Sequence, residues 1–133
     1  MVYASGSLAT PFASTANDAL RFPGFVIEDE GDVRGFIILE ERECCYEILW
    51  LAVKRDYHGR GYGTLLLGKA EEYACSRGKR VLTVKTYGGG DYEPYVRTLN
   101  FYKSRGFKVY ETIDQYKPFG GQPATILMKP LKC

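Results

Sequence analysis

Val53-Lys54-Arg55-Asp56-Tyr57-His58-Gly59-Arg60-Gly61-Tyr62-Gly63-Thr64 is the stretch on which the fold turns. Its first residue closes the run Tyr46 to Val53, which is too continuously apolar for a strand with one wet face. A central strand covered on both sides is therefore expected there. Its last residues open a helical pattern, in which Leu65, Leu66, Leu67, Ala70, Tyr73 and Ala74 recur until Arg77-Gly78. A basic residue followed by glycine marks the helix end. Three glycines alternate with other residues between the strand and the helix. Glycine lets backbone amides approach an anion without a side chain in the way, and a helix N-terminus adds unpaired donors and the positive end of its dipole. The unit has room for a pyrophosphate, although a tight turn with close packing would also use such glycines.

Two competing motifs fail on their own residues. A P-loop needs GxxxxGK followed by serine or threonine, which is absent, and a dinucleotide fingerprint expects an acid about 20 positions on, where Arg80 to Thr86 has none.

Upstream, Phe25-Val26-Ile27 and Val33 to Leu39 flank Asp29-Glu30-Gly31-Asp32, the pattern of an antiparallel hairpin. Before it, only Ser14-Thr15-Ala16-Asn17-Asp18 reads as the cap of a short helix running toward Leu20. Downstream, Arg80 to Thr86 supplies a strand and Gly88-Gly89-Gly90 breaks it. Pro94 then opens a second helix, with Val96, Leu99 and Tyr102 on one face and Gly106 as its C-terminal cap. Phe107 to Ile113 and Ala124 to Met128 are two final strands around a loop rich in proline and glycine.

The chain of 133 residues suits a single domain, 1–133, and shows neither an internal repeat nor a long linker. Lys plus Arg number 18 against 16 for Asp plus Glu, so the net charge of +2 gives no general field for nucleic acid or anionic membrane. The expected partner is a small anion held locally. One histidine and the lack of CxxC spacing make a nitrogen and sulfur metal centre improbable. Cys44 and Cys45 are adjacent and Cys133 is terminal, a poor layout for a disulfide framework, so a reducing compartment is expected. Met1 to Pro11 resembles neither signal peptide nor anchor, and no apolar run approaches the roughly 18 residues of a membrane helix, so the expected location is cytoplasmic.

His58-Gly59-Arg60-Gly61-Tyr62-Gly63 resembles the glycine signature of the GNAT superfamily of acyl-coenzyme A-dependent N-acyltransferases, departing from it only at His58, where the family has glutamine or arginine. Thr98 to Phe107 is similar to the family's second signature, a helix ending in tyrosine followed by glycine-phenylalanine. The resemblance covers roughly Phe25 to Leu131 and implies an α+β fold. Its sheet is mixed and mostly antiparallel, of about six or seven strands with helices on both faces, and two neighbouring strands splay apart to admit acetyl-CoA.

The resemblance also implies roles. Leu51, Ala52 and Val53 would bind the pantetheine arm through backbone groups, and Gly59, Arg60, Gly61, Tyr62, Gly63 and Thr64 the pyrophosphate. Leu51 and Val53 also read as ordinary core. Tyr102 stands at the family's general acid and would protonate the departing thiolate, its alternative being an aromatic packed on the helix's inner face. Glu47 resembles the glutamate base of the histone-acetylating branch. Strict alternation puts it with Leu49, Leu51 and Val53 on a largely apolar face, where desolvation favours proton acceptance; an exposed strand end is the alternative. Tyr87, Tyr92 and Tyr95 around Asp91 and Glu93 read either as an acceptor pocket for a cation or as a solvated helix start.

Family members open with a strand and two helices, yet 24 residues precede Phe25 here, which at about 11 residues per helix and five per strand hold one helix and a fragment. The acceptor site is then unusually open, or is completed by a second copy in a homodimer, or the reading frame begins upstream. The implied activity is acetyl transfer from acetyl-CoA to a primary amine of a small molecule or peptide in a ternary complex, without metal, nucleic acid or membrane. The rival is a non-catalytic acyl-CoA sensor or interaction domain.

Overall fold

The computed structural model describes residues 2–4, 18, 20–88 and 92–133, with the backbone alone for 2–4. Seven strands form one sheet: β1 (Val2–Ala4), β2 (Gly24–Asp29), β3 (Asp32–Glu41), β4 (Tyr46–Val53), β5 (Val81–Tyr87), β6 (Lys108–Tyr116) and β7 (Gln122–Pro130). The order is β1-β2-β3-β4-β5-β7-β6, and among the described residues β4 with β5 is the one parallel pair. Among the described residues, two long helices, α1 (Tyr62–Ser76) and α2 (Glu93–Ser104), pack against it.

The hairpin and the central strand follow the sequence pattern, and the turn between β2 and β3 has Glu30 and Gly31 at φ 54° and 77°. A parallel partner for β4 demands a crossover connection, which α1 supplies between β4 and β5. Gly78 and Gly106, at φ 77° and 95°, end α1 and α2 in the left-handed region glycine tolerates. β1 escapes the sequence reading because three residues carry no period of their own; pairing with β2, Val2 opposite Ile27, makes them a strand. The expected helix cap from Ser14 to Asn17 lies outside the described residues, while Asp18, Leu20 and Arg21 are helical.

Leu66, Leu67, Ala70 and Ala74 of α1 and Tyr102 of α2 share one core cluster with Ile27, Ile37, Leu39, Tyr46, Ile48, Leu82, Val84 and Leu127 of the sheet. Burial of one such leucine contributes about 1.5–3 kcal/mol. Two expected core positions, Leu65 and Val96, are exposed. On the opposite face Ile38 is fully buried, and its register partner Trp50 donates from Nε1 to Asp18 Oδ2 at 2.8 Å. Asp18 therefore lies on the face that α1 and α2 leave.

Strict alternation along β4 does not hold. Ile38 pairs with Trp50 and Leu39 with Ile48, so Leu49 is an extra residue that shifts the register. The bulge reverses the phase of everything after it. Tyr46 and Ile48 before it, and Leu51 and Val53 after it, all join the α1-side core, whereas Glu47 points to the other face. The expected grouping of Glu47 with Leu51 and Val53 is overturned.

The cysteine reading is also corrected. Cys75, in the last turn of α1, forms a disulfide with Cys133, their Cα atoms 5.6 Å apart. The end of β7 returns alongside the α1 to β5 connection, where the Leu131 amide donates to the Arg80 carbonyl at 2.7 Å. A terminal cysteine is thus brought to a partner 58 positions away, while Cys44 and Cys45 stay free thiols. The cysteines give no argument for a reducing compartment. Among the described residues, no helix is long and apolar enough to cross a membrane.

Candidate active site

β4 and β5 stay paired for three residues, Tyr46 with Leu82, Glu47 with Thr83 and Ile48 with Val84. Beyond Ile48 the strands part, because the Leu49 bulge turns β4 toward β3 while β5 continues along β7 as far as Tyr87 opposite Ala124. The fork leaves the inner edges of Leu49–Val53 and Lys85–Tyr87 without sheet partners.

On one side of the fork a groove of about 690 Å³ runs from Leu51, Ala52 and Val53 over Gly59, Gly61, Tyr62, Gly63 and Thr64, with Arg97, Phe101 and Tyr102 of α2 and Arg105 at its C-terminal cap as its other wall. Gly59 and Gly61 take φ 76° and 83°, and a Cβ built at either would meet nothing within 4 Å. The space the missing side chains would occupy is groove. Gly61 caps α1 with no side-chain hydrogen bond, and the first intrahelical amide bond is Leu65 to the Gly61 carbonyl at 3.0 Å. The amides of Tyr62, Gly63 and Thr64 precede it and have no helical acceptor, which is the donor set a phosphate uses. Gly63 serves packing: a Cβ there would sit 3.0 Å from the Phe101 ring. His58 Nε2 donates to the Val53 carbonyl at 2.7 Å, so this departure from the family pattern closes the loop onto the end of β4. Arg60 does not line the groove; its guanidinium lies 5.3 Å from the centroid of the Tyr57 ring.

A second cavity, of about 320 Å³, fills the fork itself between Ile48–Leu51 and Val84–Tyr87, under Pro94, Tyr95, Thr98 and Tyr102. Tyr102 lines both cavities and stands where they meet. Its side chain is buried, its hydroxyl has no hydrogen-bond partner among the described residues, and burial pushes the phenol well above its ordinary value. Such a phenol keeps its proton across the neutral range.

Glu47 lines neither cavity. Its Oε1 accepts from Lys85 Nζ at 2.9 Å and its Oε2 from Arg42 at 3.3 Å, so it is an ion-paired carboxylate at the base of the fork. Lys85 does line the second cavity. Burial works against its ammonium, but the hydrogen bond and charge of Glu47 outweigh burial and raise its pKa. A carboxylate has about four lone-pair sites, so two bonds leave Glu47 capacity for a water. Tyr87 stacks between Tyr95, 5.2 Å away, and Phe119, 4.3 Å away, as one wall of the fork. Asp91 lies outside the described residues.

Several groove residues carry no sequence expectation. Arg97, Phe101 and Arg105 recur every four positions along α2, a legible stripe once the facing loop is known. Arg105 Nε donates to Thr64 Oγ1 at 2.8 Å and ties the end of α2 to the start of α1. Among the described residues no group of three His, Cys, Asp or Glu side chains is placed to hold a metal ion.

By class this is an α+β protein with a forked sheet and an open helix start facing a basic, aromatic wall. A family model described as the acetyltransferase (GNAT) domain matches residues 22–109, and the chain belongs to that family. An uncharacterized N-acetyltransferase of Methanocaldococcus jannaschii is 36% identical over 97 residues, which is 67% of this chain and 40% of that protein. The chain thus matches less than half the length of that relative. Among solved structures, an IAA acetyltransferase from Bacillus cereus superposes with a TM-score of 0.81 at 23% identity, covering 98% of this chain and 99% of the other. A GNAT family acetyltransferase from Elizabethkingia anophelis with acetyl-CoA bound gives 0.79 at 14% identity over 98% and 97%. At these identities the structures speak for the fold.

Proposed function

We propose that the chain is an N-acetyltransferase that moves the acetyl group of acetyl-CoA to a primary amine by direct attack in a ternary complex. The observation that carries this reading is the junction of two cavities at Tyr102, one with the free amides of a helix start and one opening through the fork. The solved relative named with acetyl-CoA bound supports the choice of cosubstrate.

In this reading the amides from Gly59 to Thr64 hold the pyrophosphate, and the unpaired edge at Leu51, Ala52 and Val53 hydrogen-bonds the pantetheine arm. A strand amide there stabilises the oxyanion that forms when the amine attacks the thioester carbonyl. Collapse of that intermediate breaks the carbon–sulfur bond, and Tyr102 gives its proton to the leaving thiolate. The acceptor amine must lose a proton, and Glu47 takes it through a water in the fork. The 320 Å³ of the fork suits a small amine or the end of a peptide. CoA thioesters do not cross membranes unaided, which supports a cytoplasmic reaction.

The test is a screen of free amines, amino acids, polyamines and peptides with acetyl-CoA, following thiol release. At least one amine is expected to release CoA at a rate that scales with enzyme. Acetyl-CoA binding with no release across every acceptor class would favour an acyl-CoA sensor instead.

A further inference from the structure

The hairpin between β2 and β3 reaches the glycine loop through Arg34 and Asp32, and Arg34 touches both Tyr57 and Tyr62. Arg34 of β3 donates from Nη1 to Tyr62 Oη at 3.0 Å, and the same nitrogen lies 3.2 Å from Asp29 Oδ2. Its guanidinium carbon sits 4.2 Å from the centroid of the Tyr57 ring. Tyr57 precedes the glycine loop and Tyr62 stands within it between Gly61 and Gly63, the two rings meeting edge to face at 6.1 Å. Both line the groove. Tyr57 Oη donates to Asp32 Oδ2 at 3.3 Å, and Lys54 Nζ donates to the other oxygen of the same carboxylate at 2.6 Å. The Arg34 side chain is 14% exposed, and its Nε is buried without a partner among the described residues. The guanidinium is therefore held by Tyr62, Asp29 and the Tyr57 ring.

From this geometry we infer that Arg34 is a positioning residue for the phosphate-binding loop: it grips the chain at Tyr57 and Tyr62, on either side of Gly59 and Gly61, and sets where the loop amides stand. The inference rests on the acyl-CoA reading above. Gly59 and Gly61 leave the intervening backbone free to adopt many conformations, so a loop with untied ends loses entropy when it wraps a pyrophosphate. Arg34 removes that freedom beforehand. Its contribution belongs to the pyrophosphate, which the loop amides contact, and not to the pantetheine arm on β4.

The experiment compares acetyl-CoA with acetyl-pantetheine, which carries the same thioester without the pyrophosphate, by titration of wild type, Arg34→Met, Tyr62→Phe and the double variant. Tyr62→Phe removes one hydroxyl and keeps the fold. Each single variant is expected to bind acetyl-CoA about tenfold more weakly, the scale of one hydrogen bond to a charged group. The double variant should be no weaker than Arg34→Met, and acetyl-pantetheine should bind all four proteins alike. Unchanged acetyl-CoA affinity in both single variants would overturn the role of Arg34, as would equal losses for the two ligands, which would mark a merely structural residue. A wild-type protein that binds neither ligand would overturn the acyl-CoA reading and the Arg34 role together.

Discussion

In the proposed mechanism, Tyr102 is the residue at which burial and chemistry coincide. In a buried phenol the neutral form is favoured, because the phenolate loses its hydration, so the proton remains in place until the thiolate appears. The sign is definite: a raised acid keeps its proton longer, so loss of this group cannot limit the rate below the ordinary tyrosine range near pH 10. Replacing Tyr102 with Phe keeps the ring contacts to Phe101 and Phe107 and removes one hydroxyl. Single-turnover acetyl transfer is expected to fall about 10²-fold with acetyl-CoA affinity and melting temperature unchanged. An equal rate in the variant would return Tyr102 to the core. Glu47, the proposed proton acceptor, is tested by its isostere: Glu47→Gln should lower single-turnover acetyl transfer and leave acetyl-CoA affinity alone, so an unaltered rate would reduce Glu47 to the ion partner of Lys85 and Arg42. Tyr102 and the glycines were legible in the sequence because each sits in a short motif. Arg34 was not, because its partner Tyr62 is 28 positions away and only the folded sheet brings them together.

Among the elements, the start of α1 and the fork of β4 and β5 make the site. Gly61 and Gly63 separate two uses of glycine in one loop. At Gly61 a Cβ enters open groove from a φ of 83°, a strain of about 1–2 kcal/mol that leaves packing intact. At Gly63 a Cβ would press the Phe101 ring at 3.0 Å and push α2 off α1, an overpacking cost of about 1–3 kcal/mol. Calorimetry should find acetyl-CoA affinity reduced in both alanine variants; the Gly63→Ala loss should come with displacement of α2, visible as altered near-UV signal from its aromatic residues. A Gly61→Ala protein with wild-type affinity would remove the phosphate assignment. The order of strands, loop and helices could be read from periodicity, and so could the helix ends. The fork's cause could not. Ile48, Leu49, Trp50 and Leu51 are all apolar, so nothing in their alternation marks Leu49 as the extra residue that turns Glu47 away from Leu51.

Across the whole molecule, the Cys75–Cys133 bridge and the groove are separable. The bridge closes a loop of 58 positions, for which the chain-entropy account gives about 4 kcal/mol. It lies 13 residues along α1 from Tyr62, which at 1.5 Å per residue is about 20 Å from the phosphate end. Cys75→Ser is therefore expected to lower the melting temperature by several degrees without changing acetyl-CoA affinity, and parallel losses of both would tie the bridge to the site. The sequence left this pairing hidden because contact between α1 and the chain end depends on β7 returning beside Arg80. The proposed activity depends on one placement, the CoA thiol at the fork. A crystal structure with CoA bound measures it directly. The pyrophosphate should lie on the amides from Gly59 to Thr64, with the sulfur between β4 and β5 within hydrogen-bond reach of the Tyr102 hydroxyl. A sulfur directed away from Tyr102, or phosphates away from that loop, would contradict the account.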